Sequence, residues 1–210
     1  MQFRKQADAN ANAAFHWNST QVLMICGLLG LLTLALRFAP LPENFSAFGA
    51  LAIFCGIFAP NATRWWIPVC ILFIADCIGH FAHIPGMGFY DPLAMALNYV
   101  GFASMTLVAS AFRSQLTKSS SKLFTGLPLA TLAGSLAFFL ISNFGAWLDP
   151  RMQYAKSLNG LLDCYLAAIP FWRSTLTSDL IFILAFTALA WLVVPSMARA
   201  AATANNSSQK

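Results

Sequence analysis

Charged residues are scarce in this chain of 210 residues. They make up 9% of the sequence, whereas hydrophobic residues make up 59%. Soluble domains carry about 25% charged and about 45–50% apolar residues. Seven acids and twelve bases are too few to cover the surface of a soluble domain of this length. The scarcity excludes an ordinary soluble protein and indicates a polytopic membrane protein that is surrounded in part by lipid.

Several motifs of enzymes and nucleic-acid-binding proteins are also absent. The sequence has no GxxxxGK[ST] phosphate loop, no HExxH zinc helix and no GxSxG nucleophile elbow. Its five cysteines form no CxxC pair, and four of them lie in apolar runs, which favours buried thiols over a disulfide framework. The bases are scattered through short loops without a recognition motif. The sequence therefore disfavours an enzyme and predicts neither a cofactor nor a nucleic-acid partner.

Long apolar segments provide the architecture that this composition requires. A helix needs about 20 mostly apolar residues to cross the hydrocarbon core of a bilayer. A further apolar stretch, Leu158–Ile169, is too short to span and is predicted to be a re-entrant or interfacial helix. It is predicted to cover a polar pocket at the outer end of the bundle. The rest is predicted to be an all-α bundle of six transmembrane helices, which are Gln21–Leu36, Ser46–Phe58, Trp65–His83, Leu93–Phe112, Leu123–Leu148 and Leu176–Met197.

The loop charges predict how this transmembrane domain, residues 21–197, is oriented. Polar tails flank it at residues 1–20 and 198–210. With an even number of crossings, both tails share a side with the loops around Arg64 and Lys118, and that side carries eight of the twelve bases. Because Lys and Arg hold loops on the cytoplasmic side, both termini are predicted to be cytoplasmic.

Polar side chains gather at the opposite, outer end of the predicted bundle. Ionisable residues within a membrane are costly and usually face a cavity or a partner. We therefore predict an outward-facing pocket for a small molecule, in which an amide donates hydrogen bonds and an indole stacks on the ligand. Seven residues are predicted to line it: Arg37, Asn44, Asp76, His80, His83, Asn143 and Trp147.

Three of these residues share one face of the predicted third helix. At about 100° per residue, Asp76, His80 and His83 fall within an arc of about 60°. A carboxylate and two imidazoles can bind a transition metal or relay protons, although a metal site normally takes a further ligand from another segment. The same pattern also suits a polar stripe that packs against neighbouring helices. The sequence leaves these alternatives open.

Other features of the helices have ordinary structural explanations. Asp179 falls in the first turn of the predicted sixth helix, where the helix dipole favours a carboxylate. Small residues spaced four apart, Ala52 with Gly56 and Ala130 with Gly134, let helices approach closely. Such pairs are predicted to serve packing within the chain.

Three segments resemble a family of small bacterial membrane proteins that is known only as a domain of unknown function. They cover residues 37–56, 138–147 and 161–180, and their most specific runs are SNFGAW and CYLAAIPF. That family is similar in layout to the substrate-binding S components of energy-coupling factor transporters. The resemblance implies a multi-pass protein of the bacterial plasma membrane that binds a vitamin or a metal ion near its outer face. It also implies a membrane scaffold subunit and ATPase subunits as partners.

Three functional hypotheses follow from the sequence. The outer polar cluster favours the substrate-binding membrane subunit of an importer, with an unidentified small molecule as ligand and the lipid bilayer as its surroundings. A non-transporting accessory or assembly protein is the first alternative. A membrane enzyme that acts on lipid, with Asp76 and His80 as acid and base, is the second.

Overall fold

The computed structural model describes residues 17–85 and 87–207, with side chains described as far as Val194. Residues 1–16 and 208–210, which belong to the predicted polar tails, lie outside this range. The described residues contain helices and no strand, which confirms the all-α prediction. The helices are α1 (Ser19–Arg37), α2 (Phe48–Phe58), α3 (Thr63–Phe81), α4 (Pro92–Leu116), α5 (Ser120–Leu148) and α6 (Leu158–Ser207), with a 3₁₀ turn at Pro150–Met152 before α6.

Five of the six described helices are long and apolar enough to cross a membrane. The exception is α2, whose 11 residues would extend about 16 Å, or half of a hydrocarbon core of about 30 Å. Residues 38–47, which contain Pro40 and Pro42, form an irregular loop in place of further helical turns before α2. The described chain is thus a membrane-protein-like helical bundle in which one predicted transmembrane helix is too short to span by itself.

Helix α2 forms the centre of the bundle. All 11 of its residues are buried, and it contacts each of the other five helices. A helix that is apolar on every side fits such a position, because no face of it needs water. Gly56 allows close approach to α4, and Gly134 on α5 faces Ile53 of α2. The predicted small-residue contacts therefore lie within the chain.

Polar side chains on one face of α4 satisfy the carbonyl groups of α2. The last carbonyls of a helix have no partner within it, and in apolar surroundings each unsatisfied group is costly. In each hydrogen bond the donor residue follows the acceptor residue by the same number of positions in the sequence, which shows that α2 and α4 run in the same direction. The hydrogen bonds are Thr106 Oγ1 to Ala52 O (3.2 Å), Ser110 Oγ to Gly56 O (3.3 Å) and Arg113 Nη1 to Ala59 O (2.6 Å).

Helix α6 departs most from the sequence-based prediction. Leu158–Ile169 is not a separate short helix but forms the first turns of α6, which continues past Pro170. Side chains on both sides of this proline form hydrogen bonds to α5. Tyr165 Oη donates to Leu140 O (2.7 Å), and Trp172 Nε1 donates to Ser135 Oγ (3.2 Å). Neighbouring helices of this kind allow proline inside a helix.

The C-terminal end of α6 also lies beyond its predicted position. The sequence predicts that the helix ends at Met197, whereas the backbone stays helical to Ser207. The intervening residues 198–204 are mostly alanine, which has the highest helix propensity of the twenty residues. The first part of the tail that the sequence predicts after Met197 therefore continues the helix.

The contact at Gly56 provides a stability prediction. A Cβ at this position would lie 2.6 Å from Thr106 O and 2.8 Å from Ala109 Cβ, so Gly56→Ala is expected to lower the free energy of unfolding by about 1–3 kcal/mol. Gly27→Ala is the control, because its Cβ would meet nothing within 4 Å. Denaturant unfolding in a mild detergent would measure both variants. An equal loss of stability in both would contradict the close contact between α2 and α4.

Candidate functional site

Two adjoining cavities open at one end of the bundle, which we call the cavity end. Their volumes are about 590 Å³ and about 310 Å³. Both are lined by Asn44, Asn98, Phe138 and Thr175, so they are a larger and a smaller lobe of one recess. The loop between α1 and α2 and segments of α4, α5 and α6 all contribute to its walls.

The recess exists because α2 is short and the loop before it enters the bundle. Residues 38–47 lead from the end of α1 to the buried start of α2. Ser174 Oγ donates to Glu43 O (2.8 Å) and Thr175 Oγ1 donates to Asn44 O (3.3 Å), so α6 holds the loop in place. Asn44 adopts a left-handed conformation with φ of 56°, which asparagine tolerates better than most residues.

Charged and polar groups line one side of the larger lobe. Asp76 on α3 is buried, and its Oδ2 accepts a hydrogen bond of 2.6 Å from Tyr99 Oη. Arg37 lies within electrostatic reach of Asp76, but the two form no ion pair within 4 Å among the described residues. Glu43 and Asn98 complete this polar side. The second oxygen of Asp76 and the Arg37 guanidinium are therefore available to a ligand.

Aromatic rings also form much of the lining of the larger lobe. Phe48, Phe102 and Phe138 line it and pack on one another. The ring centroids of Phe48 and Phe102 lie 6.0 Å apart, and those of Phe102 and Phe138 lie 4.5 Å apart. Phe45 joins this wall from the entering loop. The recess thus offers both polar groups and aromatic rings to one molecule.

Four of the seven residues that were predicted from the sequence line the recess. Arg37 and Asp76 line the larger lobe, Asn44 lines both, and Asn143 lines the smaller lobe. The Asn143 Nδ2 donates to Phe139 O within its own helix (2.8 Å), which leaves its Oδ1 as an acceptor. These residues lie close together because the sequence predicts that they are near helix ends at the cavity end of the bundle.

The other three predicted residues line neither lobe. His80 is exposed and packs its ring against Phe89, with centroids 4.8 Å apart. His83 follows the end of α3 with φ of 53°, so it leaves the helical arc on which it was predicted. Trp147 Nε1 instead donates to Ala155 O (2.8 Å). The parts of the chain that the structure describes hold no group of three His, Cys, Asp or Glu residues that could bind a metal.

Sequence reasoning missed several residues of the recess. Asn98 lies in the first two turns of α4, and its position at the cavity end was the available signal. The aromatic wall had no such signal, because the chain contains 19 phenylalanines and most apolar segments include some.

A small cluster after α5 supports the edge of the recess. Arg151 forms an ion pair of 2.6 Å with Asp149, and its guanidinium lies 5.6 Å from the centroid of the Tyr90 ring. The hydrogen bonds from Arg151 hold the pKa of Asp149 below its ordinary value of 3.8. Burial raises the pKa of Tyr90 to about 12, so its hydroxyl stays protonated beside the larger lobe.

The Asp149–Arg151 pair predicts a component of acid sensitivity. Because the pKa of Asp149 is lowered in the folded chain, its contribution to stability is complete above pH 3.8 and is lost as the pH falls through the folded pKa. The melting temperature of the wild type is expected to decline between about pH 6 and about pH 3, in part because Asp149 becomes protonated. In Asp149→Asn this decline should be smaller, because residue 149 no longer contributes to it. Asp163→Asn, which removes an exposed acid, is the control. An unchanged acid profile in Asp149→Asn would contradict the prediction.

Comparison with known proteins gives one match. Residues 17–202 match the model of a family described as "Family of unknown function (DUF6580)", which confirms the predicted uncharacterised family. Neither the curated proteins nor the solved structures contain a match to the chain. The similarity in layout to S components stays a prediction.

Proposed function

The chain belongs to this family of unknown function, and from that premise we propose that it is the small-molecule-binding membrane subunit of an importer. The observation that carries the proposal is the recess at the cavity end. It brings Arg37, Asp76 and Asn98 together with an aromatic wall in a bundle that is otherwise mainly apolar. Ligand sites commonly combine an apolar lining with a few convergent polar groups, and this recess has both.

The distribution of charge supports an outward-facing recess. The six acids of the described residues lie at the cavity end or in the adjoining half of the bundle, whereas the described residues of the opposite end include bases and no acid. Trp17 and Trp191 lie at that opposite end, where their rings contact Phe58 and Phe124. The positive-inside rule favours the basic end as the cytoplasmic side. Both termini would then be cytoplasmic and the recess would face outward.

An importer of this kind needs an energy source from another protein. The sequence has no phosphate loop of its own. The layout that resembles S components favours partners of the same type, a membrane scaffold subunit and ATPase subunits. The ligand would bind from outside, and the partners would drive its release to the inside.

Co-purification would test the binding function directly. We expect the wild-type chain, extracted in a mild detergent, to retain a small molecule that mass spectrometry detects. Asn98→Phe should lower its amount about tenfold or more, because residue 98 lines both lobes and the ring would fill them. Leu107→Phe, on the exposed face of the same helix, is the matched control and should retain the molecule.

The same preparation separates the alternative functions. ATPase subunits that co-purify with the chain would support the importer. A stable complex with another membrane protein, and no small molecule in the recess, would favour the accessory or assembly protein instead. Conversion of an added lipid would favour the enzyme.

A further inference from the structure

We infer that the recess binds an organic cation with a flat apolar body, and that Asp179 on α6 is the deep counter-charge for it. The inference rests on the proposed small-molecule-binding function and specifies the chemical class of the ligand. The Asp179 carboxylate is not among the groups that line the recess.

The position of Asp179 rules out the helix-dipole explanation. The sequence placed this residue in the first turn of a helix, but α6 begins at Leu158, more than five turns earlier. The stabilising effect of a helix dipole is confined to the first and last turns. Asp179 is only 1% exposed, so it is a buried acid in the middle of a helix.

The carboxylate of Asp179 is packed against α2 and lacks a hydrogen-bond partner. It occupies the space that a Cβ at Gly49 would need, and the Met105 methyl group lies beside it. Neither oxygen accepts a hydrogen bond of ordinary geometry from the described residues, although the Ser135 hydroxyl lies close enough to donate a longer, weaker one. Burying a carboxylate without a partner is costly, and intramembrane acids usually serve a function.

This carboxylate lies next to the floor of the larger lobe. Gly49 lines that lobe, and Thr175, one helical turn before Asp179, lines both lobes. Asp179 thus contacts a residue of the lining, although it does not itself line the recess. A cationic group at the floor could therefore approach Asp179 closely and compensate its charge.

The rest of the lining favours the same ligand. Glu43 and Asp76 are two acids against the single base Arg37, and Asp179 adds a third carboxylate beside Gly49. The faces of aromatic rings also attract cations at distances of about 6 Å or less. A positive group near Gly49 and an apolar body against the aromatic wall would match both features.

Three probes that share an indole ring test the inference. They are tryptamine, which is a cation, indole-3-ethanol, which is neutral, and indole-3-acetate, which is an anion. Equilibrium dialysis would measure their binding to the full chain in lipid nanodiscs, with empty nanodiscs as the blank. We expect saturable binding of tryptamine at least about tenfold tighter than that of the other two, because only the cation compensates the buried carboxylates.

Two variants test whether Asp179 causes the preference for tryptamine. Asp179→Asn keeps the shape of the side chain and is expected to weaken tryptamine binding about tenfold or more while leaving indole-3-ethanol unchanged. Asp163→Asn removes the same charge from an exposed position on the same helix and should have no effect. The preference among the three probes in the wild-type chain needs no variant, so it remains informative if Asp179→Asn does not fold.

Failure of the inference is distinguishable from failure of the proposed function. Absence of saturable tryptamine binding, or equal binding of the amine and the alcohol, would overturn the cation inference. In either case a co-purified molecule that Asn98→Phe displaces would still support the proposed function. Binding that is equal in the wild type and Asp179→Asn would overturn the role of Asp179.

Discussion

Replacing Gly49 by alanine is expected to lower the free energy of unfolding by about 3 kcal/mol, which is large for a single methyl group. The new Cβ would overlap the Asp179 carboxylate and the Met105 methyl group. Neither neighbour can move easily, because both are buried at the contact of α2 with α4 and α6. Denaturant unfolding in detergent, with helical circular dichroism as the signal, would measure the loss.

A second substitution tests the cause of this loss. Asp179→Ala removes the carboxylate that the new Cβ would meet, so the double variant Gly49→Ala, Asp179→Ala should recover most of the stability. We expect a coupling free energy of about 2 kcal/mol between the two sites. Gly49→Ala combined with Asp163→Ala is the control and should be additive. Additive effects in the first pair would contradict the contact between Gly49 and Asp179.

Replacing Phe54 by alanine is expected to lower the free energy of unfolding by about 3–5 kcal/mol. Phe54 is 0% exposed at the centre of α2, and its ring centroid lies 4.7 Å from that of Phe58. Removing its ring would leave a cavity in the buried centre of the bundle. Phe73→Ala is the matched control, because Phe73 on α3 is 51% exposed.

The Phe73 control should lose less than about 1 kcal/mol in the same unfolding measurement. If the two variants lose similar amounts of stability, α2 is not the buried centre of the bundle. The comparison is made within one detergent, so that the apolar surroundings of Phe73 are the same for every variant.

The sequence predicted the helices well because long apolar runs have few other solutions in lipid. It could not distinguish a helix that faces lipid from one that faces protein, since both are apolar. The segment FGALAIFCGIF of α2 is as apolar as its neighbours, and only the structure shows that every one of its residues is buried. The start of α6 was misplaced because one apolar run ends at Ile169 and the next begins at Leu176, whereas contacts with α5 hold the helix continuous.

The recess was predicted in part for a physical reason. Arg37, Asn44 and Asp76 were found because polar residues near helix ends on the same side must lie close together. His83 was misplaced because nothing in the sequence marks the end of α3 at Phe81, two residues before it. Asp179 was given a simple role because that role depended on the misplaced start of α6. The prediction therefore failed where it relied on the exact end of a helix.

The central claim is that the recess is the binding site of a small molecule. The most direct measurement is a cryo-electron microscopy map of the full chain, purified in mild detergent and placed in lipid nanodiscs. We expect density for a molecule that is not protein between Asp76, Asn98 and Gly49, with its apolar part against the aromatic wall. A recess closed by side chains, or filled by an acyl chain that continues into the bilayer, would contradict the claim.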